Sequence, residues 1–200
     1  MEIAILDYGA SNIYSLICAF KRLNVSVNVA SNEIKLTNYN AIVLPGVGNF
    51  IKASSIINHI KDELLKVVNE GIPVLGICLG LQILFEKSEE GDGQGLGILK
   101  GKVVRFPKNV KAPHMGWNII YPNGETILLS NIESKIWAYF AHSYYPLPEN
   151  SEIIKGITHY GIMFPSVIEK ENLFGTQFHP EKSGIIGRKI LENFLYFIKR

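Results

Sequence analysis

The chain alternates short runs of consecutive apolar residues with stretches in which apolar residues return every three or four positions. The first kind fits strands buried on both faces and the second fits amphipathic helices, so their alternation predicts an α/β sheet with helices on its faces. EIAIL reads as the first strand, and SVNVA and AIVLPG as two more, both buried. Ile13, Leu16, Ile17 and Phe20 recur at helical spacing after Ser11 and Asn12, either of which suits an N-cap. SSIINHIKDELLKVVNEG predicts one continuous helix stopped by Gly71, followed by a parallel strand in PVLGIC and a helix in LGLQILFEK. The stretch GDGQGLG lacks a full dinucleotide or phosphate-loop pattern and reads as a flexible connection. After it come closely spaced strands, from LKGKVVRF through WAYFAHSYY, VIEK and LFGTQF, and this half is expected to include antiparallel pairing. A last helix carries Ile186, Ile190, Phe194 and Phe197 on one stripe for packing against the sheet.

Composition narrows the class. The 200 residues suit one domain, 1–200, with a sizeable core, and no linker, repeat or low-complexity tract divides them. Apolar residues at 47% and charged ones at 19% are ordinary for a soluble protein, and the longest apolar runs are too short to cross a bilayer. Twenty basic against eighteen acidic residues leave +2, without the Lys/Arg cluster that grips phosphates, so neither nucleic acid nor membrane is an expected partner. MEIAILDYG has an acid at Glu2 and enters a strand at once, unlike a signal peptide, and Cys18 and Cys78 form no disulfide framework. Both point to a reducing cytoplasm.

The chemistry begins at VLGICLGLQILF, where a strand passes through Cys78 straight into a helix. Such an elbow holds its apex residue in a strained conformation with the side chain pushed out, while Gly76 and Gly80 let strand and helix approach closely. The helix N-terminus beneath favours the thiolate of a cysteine placed there. Cys18 reads as a small packed hydrophobe. A thiolate nucleophile needs a general acid and a group to orient it. In LFGTQFHPEKSG, His179 emerges where a strand ends, and Pro180 stiffens the turn that carries Glu181. On extended backbone, residues two apart project to the same side, within reach of one another. His59, His114, His142 and His159 have no carboxylate so rigidly placed and read as surface or packing residues.

GICLGLQ with FHPE far downstream resembles the class I (triad) glutamine amidotransferases, and the likeness covers nearly the whole chain. DYGASN, LPGVGNF, PHMGWN and QFHPEKSG, in this order, are similar to the glutaminase subunits of imidazole glycerol phosphate synthase. The resemblance implies a flavodoxin-like sheet and a triad of Cys78, His179 and Glu181. It implies hydrolysis of L-glutamine through a thioester, with an oxyanion held by backbone N–H groups of Leu79 and of the segment Pro45, Gly46, Val47 and Gly48, a segment that by spacing alone reads as a turn. It suggests Gln82, Ser143 and Tyr144 for the amino-acid end of glutamine, with Gln82 reading equally as a solvent-facing helix residue, and no metal or other cofactor. The ammonia released needs an acceptor site that the chain does not itself show, so a separate (β/α)₈-barrel cyclase subunit is implied as partner, and Asn12, Trp117, Tyr139 and Lys182 match the contact positions. Trp117 reads equally as a core aromatic. The rival readings are a glutaminase subunit of another pathway, such as pyridoxal phosphate synthesis, a stand-alone cysteine hydrolase, or a non-catalytic flavodoxin-like binding module.

Overall fold

The structure is a computed structural model, and it describes residues 1–8, 13–30, 35–132 and 135–199. The expected caps Ser11 and Asn12, and with Asn12 one expected partner contact, lie outside these residues. The first half runs β1 (Glu2–Leu6), α1 (Ile13–Lys21), β2 (Ser26–Ala30), β3 (Ala41–Leu44), α2 (Phe50–Ile57), α3 (Lys61–Asn69), β4 (Val74–Ile77) and α4 (Leu79–Gln82). Two short strands follow, β5 (Lys87–Ser88) and β6 (Gly91–Gln94), and then β7 (Gly101–Arg105), β8 (His114–Pro122), β9 (Ile136–His142) and β10 (Tyr144–Pro148). The chain closes with β11 (Ile154–Tyr160), β12 (Ile162–Lys170), β13 (Leu173–Thr176) and α5 (Gly184–Ile198).

Among the described residues the strands form a nine-stranded sheet in the order β2-β1-β3-β4-β13-β12-β11-β8-β9 and a four-stranded sheet in the order β10-β7-β5-β6. From β2 to β13 every pairing is parallel, which is the flavodoxin-like order with β13 in fifth place. From β13 outward to β9 the sheet turns antiparallel, as the close strand spacing predicts. Period-two alternation divides each central strand between two cores. Ile3, Ile5, Val43, Leu75 and Ile77 face Leu16 and Phe20 of α1 and Ile190 and Phe194 of α5, while Ala4, Leu6, Ile42 and Leu44 face Phe50 of α2 and Leu64 and Val67 of α3. Helices therefore cover both faces, and burial in these two layers is the main source of cohesion.

Three local readings differ from the pattern. The long predicted helix is two helices separated by a 3₁₀ turn at Asn58–Ile60, and it starts earlier, at Phe50, because Asn49 caps it by accepting from Lys52 N–H at 3.1 Å. LGLQILFEK is helical only over Leu79–Gln82 before the chain turns into β5. The stretch expected to be a flexible connection is a strand over Gly91–Gln94, paired with β5. Its glycines serve close contact: a Cβ on Gly95 would stand 2.1 Å from the Phe85 carbonyl oxygen.

Candidate active site

Cys78 sits between β4 and α4 with φ 53° and ψ −104°, a left-handed conformation that costs a non-glycine residue energy and turns its side chain off the sheet edge. The neighbours that make the turn possible have no side chains. A Cβ on Gly80 would lie 1.9 Å from Leu44 O, one on Gly76 would lie 2.7 Å from Gly80 O, and one on Gly46 would lie 2.6 Å from Leu79 Cβ. The elbow is thus wedged between β3 and β4, with the Pro45–Gly48 segment against it.

The parallel pairing of β13 with β4 places the end of β13 beside the elbow, and Cys78 N–H donates to Thr176 O at 2.7 Å. His179 follows three residues later and is buried. Its Nδ1 lies 2.9 Å from Glu181 Oε1, with both side chains shielded from solvent. The backbone between them is a 3₁₀ turn, Pro180–Lys182, and not the extended strand that alternation assumes. Pro180 at its first position suits the turn's φ, and Ser183 Oγ clamps it by donating to His179 O at 2.6 Å. Burial pulls the His179 imidazole toward the neutral form, but the negative Cys78 sulfur and then Glu181 outweigh it and push its pKa up to about 10. His179 is therefore held as an imidazolium at neutral pH, beside the Cys78 sulfur.

A cleft of about 210 Å³ opens beside the sulfur, below the roughly 300 Å³ at which drug-sized pockets begin and suited to one small metabolite. Val47, Gly48, Leu79, Gln82, Ser143 and Tyr144, all expected at the site, line it together with Cys78. Gln82 is buried, and its Nε2 donates to Tyr144 O at 2.9 Å and to Gln177 Oε1 at 3.1 Å, which leaves its carbonyl oxygen for the cleft. Leu79 N–H is engaged: it donates to Gly46 O at 3.4 Å. The 45–48 segment is braced from behind by the buried Tyr8 hydroxyl, which donates to Pro45 O. Burial, and next the Cys78 charge, hold that phenol above its usual range, so it stays a donor.

Sequence reasoning missed Glu90, Gln177, Tyr8 and Ser183. Glu90 lines the cleft while accepting from Phe50 N–H at 2.7 Å and Asn49 Nδ2 at 3.0 Å at the start of α2. Nothing in KSEEG sets it apart from a surface acid. Of the other histidines, His59 and His159 are exposed. His114 and His142 pack among Phe106, Phe140, Tyr160 and Phe164. Trp117 is not a core residue: it is 54% exposed, edge-on to Tyr139 at 6.2 Å, with Lys182 Nζ 5.9 Å over the Tyr139 ring. This patch adjoins the site, because Tyr139 O accepts from His179 N–H at 2.9 Å and Lys182 N–H donates to His179 O at 3.0 Å.

A flavodoxin-like sheet that carries a cysteine elbow, with a buried His–Glu pair on the turn that follows the adjacent strand, is the arrangement that a thiol-dependent enzyme of the triad kind requires. The chain belongs to the class-I glutamine amidotransferase family, which matches residues 4–198. It is 47% identical over 194 residues to the imidazole glycerol phosphate synthase subunit HisH of Methanocaldococcus jannaschii, covering 96% of this chain and 98% of that one. It is 44% identical over 200 residues to the protein of the same name from Archaeoglobus fulgidus, covering 99% and 100%. Among solved structures, PurLQS from Thermotoga maritima has the same fold, with a TM-score of 0.79 at 20% identity over 98% of each chain.

Proposed function

We propose that this chain is the glutaminase subunit of an imidazole glycerol phosphate synthase in histidine biosynthesis, and that Cys78, His179 and Glu181 are its catalytic residues. The observation that carries the chemistry is the strained, buried Cys78 facing an amino-acid-sized cleft beside a His179 kept protonated by the sulfur and Glu181. The Cys78 thiolate attacks the side-chain amide carbon of glutamine, and the carbonyl electrons move onto oxygen. His179 gives its proton to the departing nitrogen, ammonia leaves, and a γ-glutamyl thioester remains. Water then attacks the thioester as His179 takes a proton, glutamate leaves, and the thiolate is restored. Glu181 holds Nδ1 throughout, so Nε2 is the nitrogen presented to the reacting atoms. Gln82, through its free carbonyl oxygen, and Glu90 are acceptors suited to the substrate's α-ammonium group, and Ser143 and Tyr144 form the facing wall.

The oxyanion requires backbone donors, and in this structure Leu79 N–H already has the Gly46 carbonyl as acceptor. Rotating the Gly46–Val47 peptide removes that carbonyl and brings Val47 N–H to the same place, which the glycines on either side of Val47 permit; Gly48 is already at φ +130°. A missing oxyanion donor slows turnover roughly a hundredfold or more. The resting chain is therefore a poor glutaminase. A partner that binds the rotated state more tightly activates it. The partner is a (β/α)₈-barrel cyclase seated on Trp117, Tyr139 and Lys182, a face one hydrogen bond from His179. The test is the glutaminase rate of the chain alone, with the cyclase, and with the cyclase plus its ribonucleotide substrate. A rise of about a hundredfold or more across the three is expected, and equal rates would refute the coupling.

A further inference from the structure

The Cys78 sulfur has a hydrogen-bond donor outside the triad. Gln177 is fully buried two residues before His179, and its Nε2 lies 3.6 Å from Cys78 Sγ. The orientation of an amide is fixed by its partners, and here the partners leave no choice. Tyr144 O can only accept, so the Gln82 atom 2.9 Å from it is the NH₂ group. The same nitrogen is 3.1 Å from Gln177, which must present its oxygen there and turn its own NH₂ to the sulfur. On the far side, Tyr144 O is 2.8 Å from His142 Nδ1, which therefore carries the proton. His142 Nε2 then accepts from His114 Nδ1 at 3.1 Å, and His114 Nε2 accepts from Asn118 Nδ2 at 3.3 Å. Burial keeps both histidines neutral, with His114 down to about 4 and His142 to about 3, so the chain of donors is stable at physiological pH.

The geometry points to Gln177 as a further active-site residue that holds the Cys78 sulfur as a thiolate and fixes its direction by donating an amide N–H to it, an inference that rests on the glutaminase reading above. The opposing contact is Ala141 O, 3.9 Å from Sγ, which can accept from a thiol S–H but repels a thiolate. Gln177 tips that competition toward the charged form, alongside His179. Among the described residues, the other titratable groups that face the sulfur or line its cleft are Tyr8, Tyr144, the neutral His142 and Glu90, and none of them brings positive charge. Unlike His179, an amide keeps its proton at high pH. Because Gln82 clamps Gln177 and also lines the cleft, one rigid linkage joins the substrate wall to the nucleophile.

The test is iodoacetamide alkylation of Cys78 against pH in the full chain, read by mass spectrometry, with Cys18 as internal control. Gln177→Glu keeps the side chain's shape and the acceptor for Gln82 but sets a carboxylate against the sulfur. It is expected to slow Cys78 alkylation at neutral pH about tenfold or more and to move the inflection to higher pH, with Cys18 unchanged. Glutaminase kcat in the activated complex should fall in step, with KM for glutamine moving much less. Unchanged alkylation in a variant that unfolds at the wild-type temperature would overturn the proposal. Should Gln177→Glu fail to fold, Gln177→Met removes the donor without adding charge. A slowing of about threefold is then expected, and a wild-type profile overturns the proposal equally. Alkylation needs no glutamine, so a wild-type complex without glutaminase activity would refute the glutaminase reading and leave the sulfur contact standing.

Discussion

At His179 opposing influences on one proton meet in a space closed to water. Desolvation alone would leave the ring neutral, and only the neighbouring sulfur and carboxylate reverse it. The folded-state pKa of about 10 lies above the ordinary 6.5, so the pair contributes its full stabilisation below about 6.5 and loses it as pH rises through about 10. By NMR, the His179 ring is expected to stay protonated through pH 8 in the wild type. Cys78→Ala should lower its titration midpoint, because burial then has only Glu181 to oppose it. A midpoint unmoved by the loss of the sulfur would show that Cys78 does not charge the ring. Cys78, His179 and Glu181 could be singled out as candidates because elbow glycines, a strand-ending histidine and a proline-fixed turn are local signals, and the fold sets the three together. Glu90 and Gln177 were not, since an acid in an acidic stretch and a glutamine at a strand end gain meaning only from what the fold sets opposite them.

Among the elements, the strand–helix elbow tolerates least. Gly80→Ala would drive a Cβ into the Leu44 backbone at 1.9 Å, where no flexible side chain can yield. Its loss of stability should exceed about 4 kcal/mol, seen as failure to fold or a collapsed denaturation midpoint. Gly48 has open space around it but a φ of +130°, so Gly48→Ala should cost only about 1–2 kcal/mol while impairing the partner-activated glutaminase more than the basal one. Wild-type stability for Gly80→Ala would contradict the wedged elbow. Consecutive apolar and helical runs gave β1, β3 and β4 correctly, because those strands are buried and their burial is written in their side chains, whereas SVNVA, expected to be buried, is the edge strand β2 with Ser26 and Val29 exposed. The strand at Gly91–Gln94 escaped, having almost no side chains to show a period, and the break at Asn58–Ile60 escaped because a 3₁₀ turn scarcely disturbs the apolar spacing.

Across the whole molecule, the order of the strands places the chemistry. The crossover that returns β13 beside β4 brings His179 to Cys78 from about a hundred residues away, and the antiparallel extension through β8 and β9 raises Trp117 and Tyr139 at the rim of the same site. Strand order was not readable from the sequence, since any of the apolar strands could have neighboured β4. Ammonia in neutral water is mostly ammonium and no longer a nucleophile, so a glutaminase that serves synthesis gains from a partner on that rim. The most direct measurement is synthesis of imidazole glycerol phosphate by the cyclase complexed with the Cys78→Ala chain, with glutamine or with ammonium salts at high pH as nitrogen source. The complex is expected to lose glutamine-dependent synthesis by roughly four orders of magnitude while keeping ammonia-dependent synthesis near the wild-type complex. Glutamine-dependent synthesis surviving in Cys78→Ala, or ammonia-dependent synthesis lost with it, would contradict the division of labour between the two chains.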